Sequence, residues 1–335
     1  MFGCHINKGD DLANKSSENN LYDFIEYQLP IFDEILANNQ TPLSQRPLAA
    51  AFYFVDYCIV DIKGDNKDNF LEKKWFKSIY KLIKKWYTDR YAEAMDHVRD
   101  DFALGVVLIY DTPFQLKIPL SVAEEKESDD KRWFCLLSSV LDKENVLEWI
   151  KKKPNFNHIP NEDIESLKKE VCGIATSARE INVNLMSASL DKELHKISGG
   201  IRAHIDKAVR DILSLEGGRI SISFWEIHLA IEKAIKLIIL QNGRDHNNSH
   251  NLSELCKIAN NIKGVSIDCD TLSKFPSGNE AIKQRYGEGK SFTVQEAVNN
   301  YIYANGAIAK LTELLKRKFT MNNARFLIAI PPWEK

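Results

Sequence analysis

The chain has 335 residues, of which 44% are hydrophobic and 27% are charged, a globular composition that excludes wholesale disorder. Its 45 Lys and Arg residues nearly balance its 47 Asp and Glu residues, which argues against nucleic-acid binding by bulk charge alone. No apolar run reaches the roughly 18 residues of a membrane span, and the N-terminus lacks a signal-peptide pattern, so we expect a cytosolic protein without a membrane partner.

The N-terminal half mixes helical and strand patterns. Residues 1–20 are polar, and we interpret them as a mobile leader. Apolar residues within 71–86 recur at helical spacing, whereas 102–120 contains two β-rich runs separated by a turn around Asp111, which predicts a β-hairpin. We expect the charged residues 123–132 to form a loop. The sequence therefore predicts an α+β domain over 21–160, with a role in sensing or recognition.

Helical periodicity dominates after a proline- and lysine-rich boundary at 151–163. We predict amphipathic helices from about residue 161, over 198–215, over 223–241, from about 251 and from 293. The Gly217-Gly218 pair is interpreted as a helix stop, and Ser223 with Glu226 and Thr293 with Glu296 are interpreted as capping boxes.

The predicted fold class is accordingly mainly α. An antiparallel helical bundle over 161–320 follows the smaller α+β domain. The apolar, strand-like tail over 321–335 is expected to dock on one of the two domains. Helices with short connections favour such a bundle, although the connection over 263–292 is long.

The cysteines and acidic residues show no pattern of a metal or disulfide framework. The six cysteines, at positions 4, 58, 135, 172, 256 and 269, have long gaps and no C-x-x-C pair, so we expect reduced, mostly buried thiols. The acidic segment 61–72 has Lys63 in place of a calcium ligand and Asn66 in place of the turn glycine. We therefore predict no metal site.

The segment 243–252 concentrates polar chemistry between two apolar helices. It includes Arg244, Asp245, His246, Asn247 and His250. We expect His250 next to a helix start, where backbone N–H groups and the positive dipole end favour an anion such as a phosphate. An imidazole beside a guanidinium can move a proton and stabilise an oxyanion without a metal.

Each of these polar residues also has a plainer interpretation. His250 could only cap a helix while Arg244 is solvated or paired with a carboxylate. His228 is interpreted as a satisfied, semi-buried histidine. Glu232 and Lys236 are interpreted as an exposed salt-bridge ladder. Arg285 and Tyr286 either clamp a nucleotide phosphate and stack on a base or simply anchor a loop.

Three parts of the C-terminal half resemble the HEPN domain: the helix over 225–236, the turn that leads to His250-Asn251-Leu252, and Arg285-Tyr286. Many HEPN domains carry an arginine, a polar residue and, after a variable gap, a histidine. Arg244-Asp245 and His250 fit this signature, with five residues between the arginine and the histidine. The resemblance covers roughly 195–318.

This resemblance implies a metal-independent endoribonuclease without a cofactor, in a toxin or phage-defence setting. His250 would act as general acid or base, Arg244 would stabilise charge on the phosphate, and Asp245 would orient one of them. The residues implied to contact substrate are His246, Asn247, Arg285 and Tyr286. Two such sites usually meet across a homodimer interface, and the implied partner is RNA or a nucleotide, without a DNA-specific signal.

Two alternatives stay open at this point. A His-Asn-Leu sequence at this helix start also occurs in HEPN members that bind ligands without cutting RNA. The chain could therefore contain a non-catalytic HEPN module that binds a nucleotide or a protein partner. It could also contain a purely structural dimerisation bundle.

Overall fold

The computed structural model describes residues 21–96, 102–247, 249–321 and 323–333, and the leader predicted over 1–20 lies outside them. The described chain is mainly helical, with a small sheet region in its N-terminal half. It separates into two compact units, one formed by 21–96 with 329–333 and the other by 102–328. The boundary predicted within 151–163 lies inside the second unit.

Three α-helices lie in the described part of the first unit: α1 (Leu21–Asn38), α2 (Arg46–Tyr53) and α3 (Lys74–Tyr91). Helix α3 buries Phe76, Ile79, Ile83 and Trp86 at spacings of three and four residues, as its sequence pattern predicts. These side chains belong to a separate, aromatic-rich core. The first unit therefore folds around its own apolar centre.

A β-hairpin opens the second unit, as predicted. Strand β1 (Phe102–Ile109) pairs antiparallel with β2 (Thr112–Pro119), and both turn residues, Tyr110 and Asp111, have positive φ angles. Two left-handed residues in a two-residue turn match the right-handed twist of the flanking strands. The buried side chains of this hairpin share one core with the C-terminal helices, which explains why no domain boundary follows it.

The loop predicted over 123–132 is wrong, because a second hairpin occupies this segment. Strand β3 (Ser121–Ser128) pairs antiparallel with β4 (Lys131–Leu136), and β5 (Arg325–Ala329), in the strand-like tail, extends the sheet in the order β3-β4-β5. Most of the charged side chains on this hairpin remain exposed. Backbone hydrogen bonds between the strands stabilise this hairpin, and such bonds leave no apolar pattern in the sequence.

Seven α-helices complete the second unit over the residues that the structure describes: α4 (Asn161–Ser187), α5 (Lys192–Leu213), α6 (Gly217–Gln241), α7 (Leu252–Asn260), α8 (Cys269–Leu272), α9 (Gly278–Arg285) and α10 (Val294–Glu313). Helix α6 packs against α5, α7, α9 and α10, and α10 also packs against α4. Helix α6 is therefore the central element, and its apolar side chains are buried on almost every side.

The helix stop predicted at Gly217-Gly218 is wrong, and so is the capping box at Ser223. Helix α6 begins at Gly217, so Ser223 lies inside it, where its buried hydroxyl donates to the Ile220 carbonyl at 2.6 Å. Glu226 faces α5 instead of capping a helix. By contrast, the capping box of Thr293 and Glu296 at the start of α10 is confirmed.

A disulfide joins Cys256 in α7 to Cys269 in α8, so the expectation of reduced cysteines is wrong for this pair. The two Cα atoms lie 5.9 Å apart, within the usual range for a disulfide, although 13 positions separate them in sequence. Cys58, Cys135 and Cys172 are free thiols, and Cys4 lies outside the described residues. None of the helices in the described ranges is long and apolar enough to cross a membrane.

Candidate active site

A buried glutamate of α6 holds the side chain of His250. Glu232 is only 6% exposed, and its two carboxylate oxygens lie 3.1 and 3.2 Å from Nδ1 of His250. The Lys236 ammonium donates to the same carboxylate at 2.8 Å. A carboxylate this deeply buried needs such partners. The predicted exposure of the Glu232–Lys236 ladder is wrong for both residues, since the Lys236 side chain is also only 13% exposed.

The imidazole of His250 is held on its inner side and open on its outer side. Its side chain is 66% exposed, and none of the described residues forms a hydrogen bond with Nε2. Since the Glu232 carboxylate can only accept, a neutral His250 carries its proton on Nδ1 and keeps a lone pair on Nε2. This tautomer can accept a proton from a bound molecule and return it later.

His228 ties the loop before α7 to the centre of α6. It is fully buried, with Nε2 3.1 Å from the carbonyl oxygen of His250 and Nδ1 3.2 Å from that of Pro276. Burial lowers the pKa of His228, and these carbonyls and the Glu232 carboxylate oppose this only in part. The interpretation as a satisfied, semi-buried histidine fits only in part, because the ring is fully buried and a neutral imidazole can donate to only one of these two carbonyls.

The first turn of α9 closes tightly over the same loop. A Cβ atom at Gly278 would lie 3.0 Å from the carbonyl oxygen of His250. Only a residue without a side chain lets the α9 backbone approach this closely without a shift. Three elements, α6, the loop and α9, therefore fix the backbone of His250.

Among the other predicted site residues of the loop, Arg244, Asp245 and Asn247 are exposed and His246 is partly buried. Arg244 is exposed, and its guanidinium forms no hydrogen bond or ion pair with any residue in the described ranges. Asp245 accepts from the backbone N–H of Asn247 at 3.0 Å, and Asn247 adopts a left-handed conformation. His246 has a buried Nδ1 for which the described chain offers no partner. No described hydrogen bond joins Arg244 or Asp245 to His250.

The N-terminus of α7 is already capped. The side-chain oxygen of Asn251 accepts from the backbone N–H groups of Ser253 and Glu254 at 2.9 and 3.3 Å. The phosphate expected at this helix start would therefore have to displace the cap. The side chains of the loop are better placed to meet an anion than these amides are.

A second buried glutamate of α6 faces α5. Glu226 is 3% exposed and lies 2.7 Å from Nδ1 of His204, and it also accepts from the Lys207 ammonium. Burial alone would raise the pKa of Glu226, but the hydrogen bonds from His204 and Lys207 outweigh it and lower that pKa. This arrangement repeats the pairing of Glu232 with His250.

An open groove of about 550 Å³ lies between α5 and α6, beside the second glutamate. Trp225 and Leu229 line it from α6, and Arg285 reaches it from the end of α9. The Arg285 guanidinium lies 5.6 Å from the ring centroids of both Trp225 and Tyr286. Arg285 and Tyr286 thus lie together, and no described contact joins them to His250.

Sequence reasoning missed both glutamates and His204 as site residues. The available signal was the position of Glu226 and Glu232 within a helix that is otherwise apolar on nearly every face. A charged residue in such a helix is buried wherever it points, and it therefore needs a partner. Which histidine supplies that partner depends on the packing of α5 and α7.

Comparison with known proteins adds one finding. No curated protein and no solved structure matches the chain. Residues 203–314 match the model of the HEPN domain, a range that runs from within α5 to the end of α10. It includes both buried glutamates, the loop with His250 and the groove. The C-terminal part of this chain therefore contains a HEPN domain.

Proposed function

We propose that the chain is a metal-independent endoribonuclease in which His250 transfers the protons. One observation carries this proposal: an exposed imidazole whose inner nitrogen is held by the buried carboxylate of Glu232. The carboxylate fixes the tautomer and stabilises the imidazolium that forms when Nε2 takes a proton.

The reaction that suits this arrangement is an internal transesterification of RNA. Nε2 of His250 accepts the proton of a 2′-hydroxyl, and the 2′-oxygen forms a bond to the adjacent phosphorus. The bond from phosphorus to the 5′-oxygen breaks, and the leaving oxygen takes up a proton. The products are a 2′,3′-cyclic phosphate and a 5′-hydroxyl. Proton transfer of this kind contributes about 10²- to 10⁴-fold to an enzymatic rate.

Arg244 is proposed to bind the phosphate under attack. A guanidinium stays protonated and can donate two parallel hydrogen bonds to phosphate oxygens. Arg244 is exposed, and no described residue neutralises it. Asp245 shapes the turn through Asn247, and we propose that His246 and Asn247 contact the RNA from the same loop.

We further propose that the working form is a homodimer. Arg244 makes no described contact with His250 of its own chain, and both side chains are exposed, so a second copy can supply the missing half of a site. In this proposal the helices over 161–320 act as an antiparallel bundle that pairs with its copy. The first unit serves recognition in a toxin or phage-defence setting.

RNA cleavage in the presence of a chelator tests the proposal. We expect purified full-length protein to cut labelled RNA in EDTA and to leave cyclic phosphate ends detectable by mass spectrometry. H250A and R244A should each slow the cut at least about a hundredfold, while H195A and R132A, which remove an exposed histidine and an exposed arginine, should leave it intact. Thermal melting checks that every variant is folded. Cleavage that requires added Mg²⁺, or a cleavage rate that H250A leaves unchanged, would contradict the proposal.

Mixing the two inactive variants tests the composite site. If Arg244 and His250 of one site come from different chains, subunit exchange between R244A and H250A produces heterodimers with one complete site. We then expect cleavage to return after mixing. No recovery, with exchange confirmed by native mass spectrometry, would contradict sharing between copies.

A further inference from the structure

We propose that the groove between α5 and α6 binds one nucleotide unit of the RNA, with Trp225 as the stacking surface for its base. This inference rests on the proposed ribonuclease function and assigns it a substrate subsite away from the cleaved bond. The supporting observations are the shape of the groove, the chemistry of its lining and its position on α6.

The groove offers one flat aromatic surface and two cationic side chains, those of Lys207 and Arg285. Trp225 forms its α6 wall, and the Arg285 guanidinium lies over the indole ring. His204 and Lys207 line the opposite, α5 side, where the buried Glu226 fixes both of them. Because Glu226 orients these two groups, the polar side of the groove is already ordered before any molecule binds.

This combination fits a base joined to a phosphate. An indole face stacks on any base, and a guanidinium can stack on the other side of that base or bind a phosphate. A simple anion would use the cations of Lys207 and Arg285 but not the indole. An uncharged apolar ligand would use the indole but not the cations. Of these three kinds of ligand, only a nucleotide unit uses both the indole and the cationic side chains.

The position of Trp225 links the groove to His250. Trp225 and Glu232 are seven positions apart, which is nearly two turns of α6. Both therefore lie on one face of the helix, about 10 Å apart along its axis. The Trp225 ring lies parallel to the ring of His228, with 6.2 Å between centroids, and His228 contacts the carbonyl of His250. A strand bound at His250 can therefore continue along α6 to the groove.

Titration with adenosine 5′-monophosphate tests the groove itself. We expect calorimetry on the full-length protein to show binding that W225L and R285A each weaken about tenfold. Inorganic phosphate alone and adenosine alone should bind more weakly than the nucleotide. R90A and W133L are matched controls, since each alters another pair of a cation over a tryptophan, and they should bind like the wild type.

Steady-state cleavage of RNA tests whether the bound unit belongs to the substrate. W225L and R285A should raise KM for RNA about tenfold while kcat stays close to that of the wild type. If the variants lose nucleotide binding but keep the wild-type KM, the groove serves a free nucleotide and the RNA assignment is overturned.

Two further outcomes would overturn the subsite altogether. One is that the wild type does not bind the nucleotide at millimolar concentration. The other is that W225L and R285A bind it as well as the controls do. Either failure is separate from failure of the ribonuclease proposal, because loss of RNA cleavage in H250A is measured without reference to the groove.

Discussion

Helix α6 carries two buried glutamates that are paired in the same way but serve differently exposed histidines. Glu226 contacts Nδ1 of His204, and Glu232 contacts Nδ1 of His250. Each carboxylate also accepts a hydrogen bond from one lysine, Lys207 and Lys236 respectively. The His204 side chain is 22% exposed, whereas that of His250 is 66% exposed. The two pairs therefore differ in how far the imidazole is open to solvent, and the more exposed ring is the one to which we assign proton transfer.

The two histidines also differ in how the backbone supports them. His204 sits in the middle of α5, a regular helix of 22 residues, so helix geometry alone sets its direction. His250 sits in a loop that needs His228 and the first turn of α9 to hold it. A loop position leaves space beside the imidazole for a substrate, at the cost of relying on packing from distant parts of the chain.

We call Glu226 with His204 and Lys207 the Glu226 cluster, and Glu232 with His250, Lys236 and His228 the His250 cluster. The largest expected difference between the two clusters is in catalysis. H250A removes the group that we propose transfers the protons, so we expect kcat to fall about 10²- to 10⁴-fold. H204A removes one side of the groove, so it should raise KM and leave kcat nearly unchanged. Single-turnover cleavage and steady-state kinetics measure both. If H204A abolished kcat and H250A did not, the Glu226 cluster would be the catalytic one.

The disulfide supports only one of the two clusters. It pins α7, the short helix that follows His250, to α8. Closing a loop of about this length is worth about 3 kcal/mol, so C256S with C269S should lower the free energy of unfolding by about that amount. Denaturant unfolding measures this loss, and C58S, which removes a free thiol, is the control. Reduction that leaves stability unchanged would show that packing alone holds α7.

Local features of this fold could be predicted from the sequence. The first hairpin was predicted from its alternating pattern and turn, and the start of α10 from Thr293 and Glu296, because neighbouring residues determine each of them. The glycine pair at 217 was misinterpreted because the same residues that stop a helix can also begin one. The charged β3–β4 hairpin lacks apolar residues over 124–132, where most of the charged side chains stay exposed.

The candidate site could be predicted only in part, for a related reason. Arg244 and His250 stand out because polar residues cluster between apolar helices. The partner of His250 does not stand out in the sequence, because Glu232 lies 18 positions earlier and contacts the ring only when α6 and the loop pack together. The Cys256–Cys269 pair was missed similarly, since its geometry depends on how α7 and α8 fold back.

The orienting role of Glu232 predicts a moderate effect. E232Q keeps an oxygen near Nδ1 but removes the charge that stabilises the imidazolium, so we expect kcat to fall about tenfold with little change in KM. Nitrogen NMR of the His250 ring should show the Nδ1–H tautomer in the wild type and a mixture in E232Q. A merely structural glutamate would lower stability without changing the tautomer. E226Q is the matched control and should leave the His250 tautomer unchanged.

A smaller effect should appear in the free energy of unfolding of the protein on mild acidification, and it should come from the His250 cluster. The pKa of His228 is lowered by burial, so the unfolded chain binds a proton before the folded chain does. Stability should therefore fall as the pH drops below about 6.5, the ordinary histidine value. Denaturant unfolding at several pH values should show a shallower fall in H228N. An equal slope in both proteins would mean that folding does not lower the pKa of His228.

The Glu226 cluster should respond only at lower pH, which separates it from the His250 cluster. The pKa of Glu226 is lowered, because hydrogen bonds from His204 and Lys207 overcome the effect of burial. Its contribution to stability is complete above the ordinary carboxyl pKa and is lost as the pH falls through the lowered value. Unfolding measured below pH 5 should show a steeper loss for the wild type than for E226Q. If E226Q and the wild type instead lose stability equally below pH 5, the hydrogen bonds from His204 and Lys207 do not hold the pKa of Glu226 below its ordinary value.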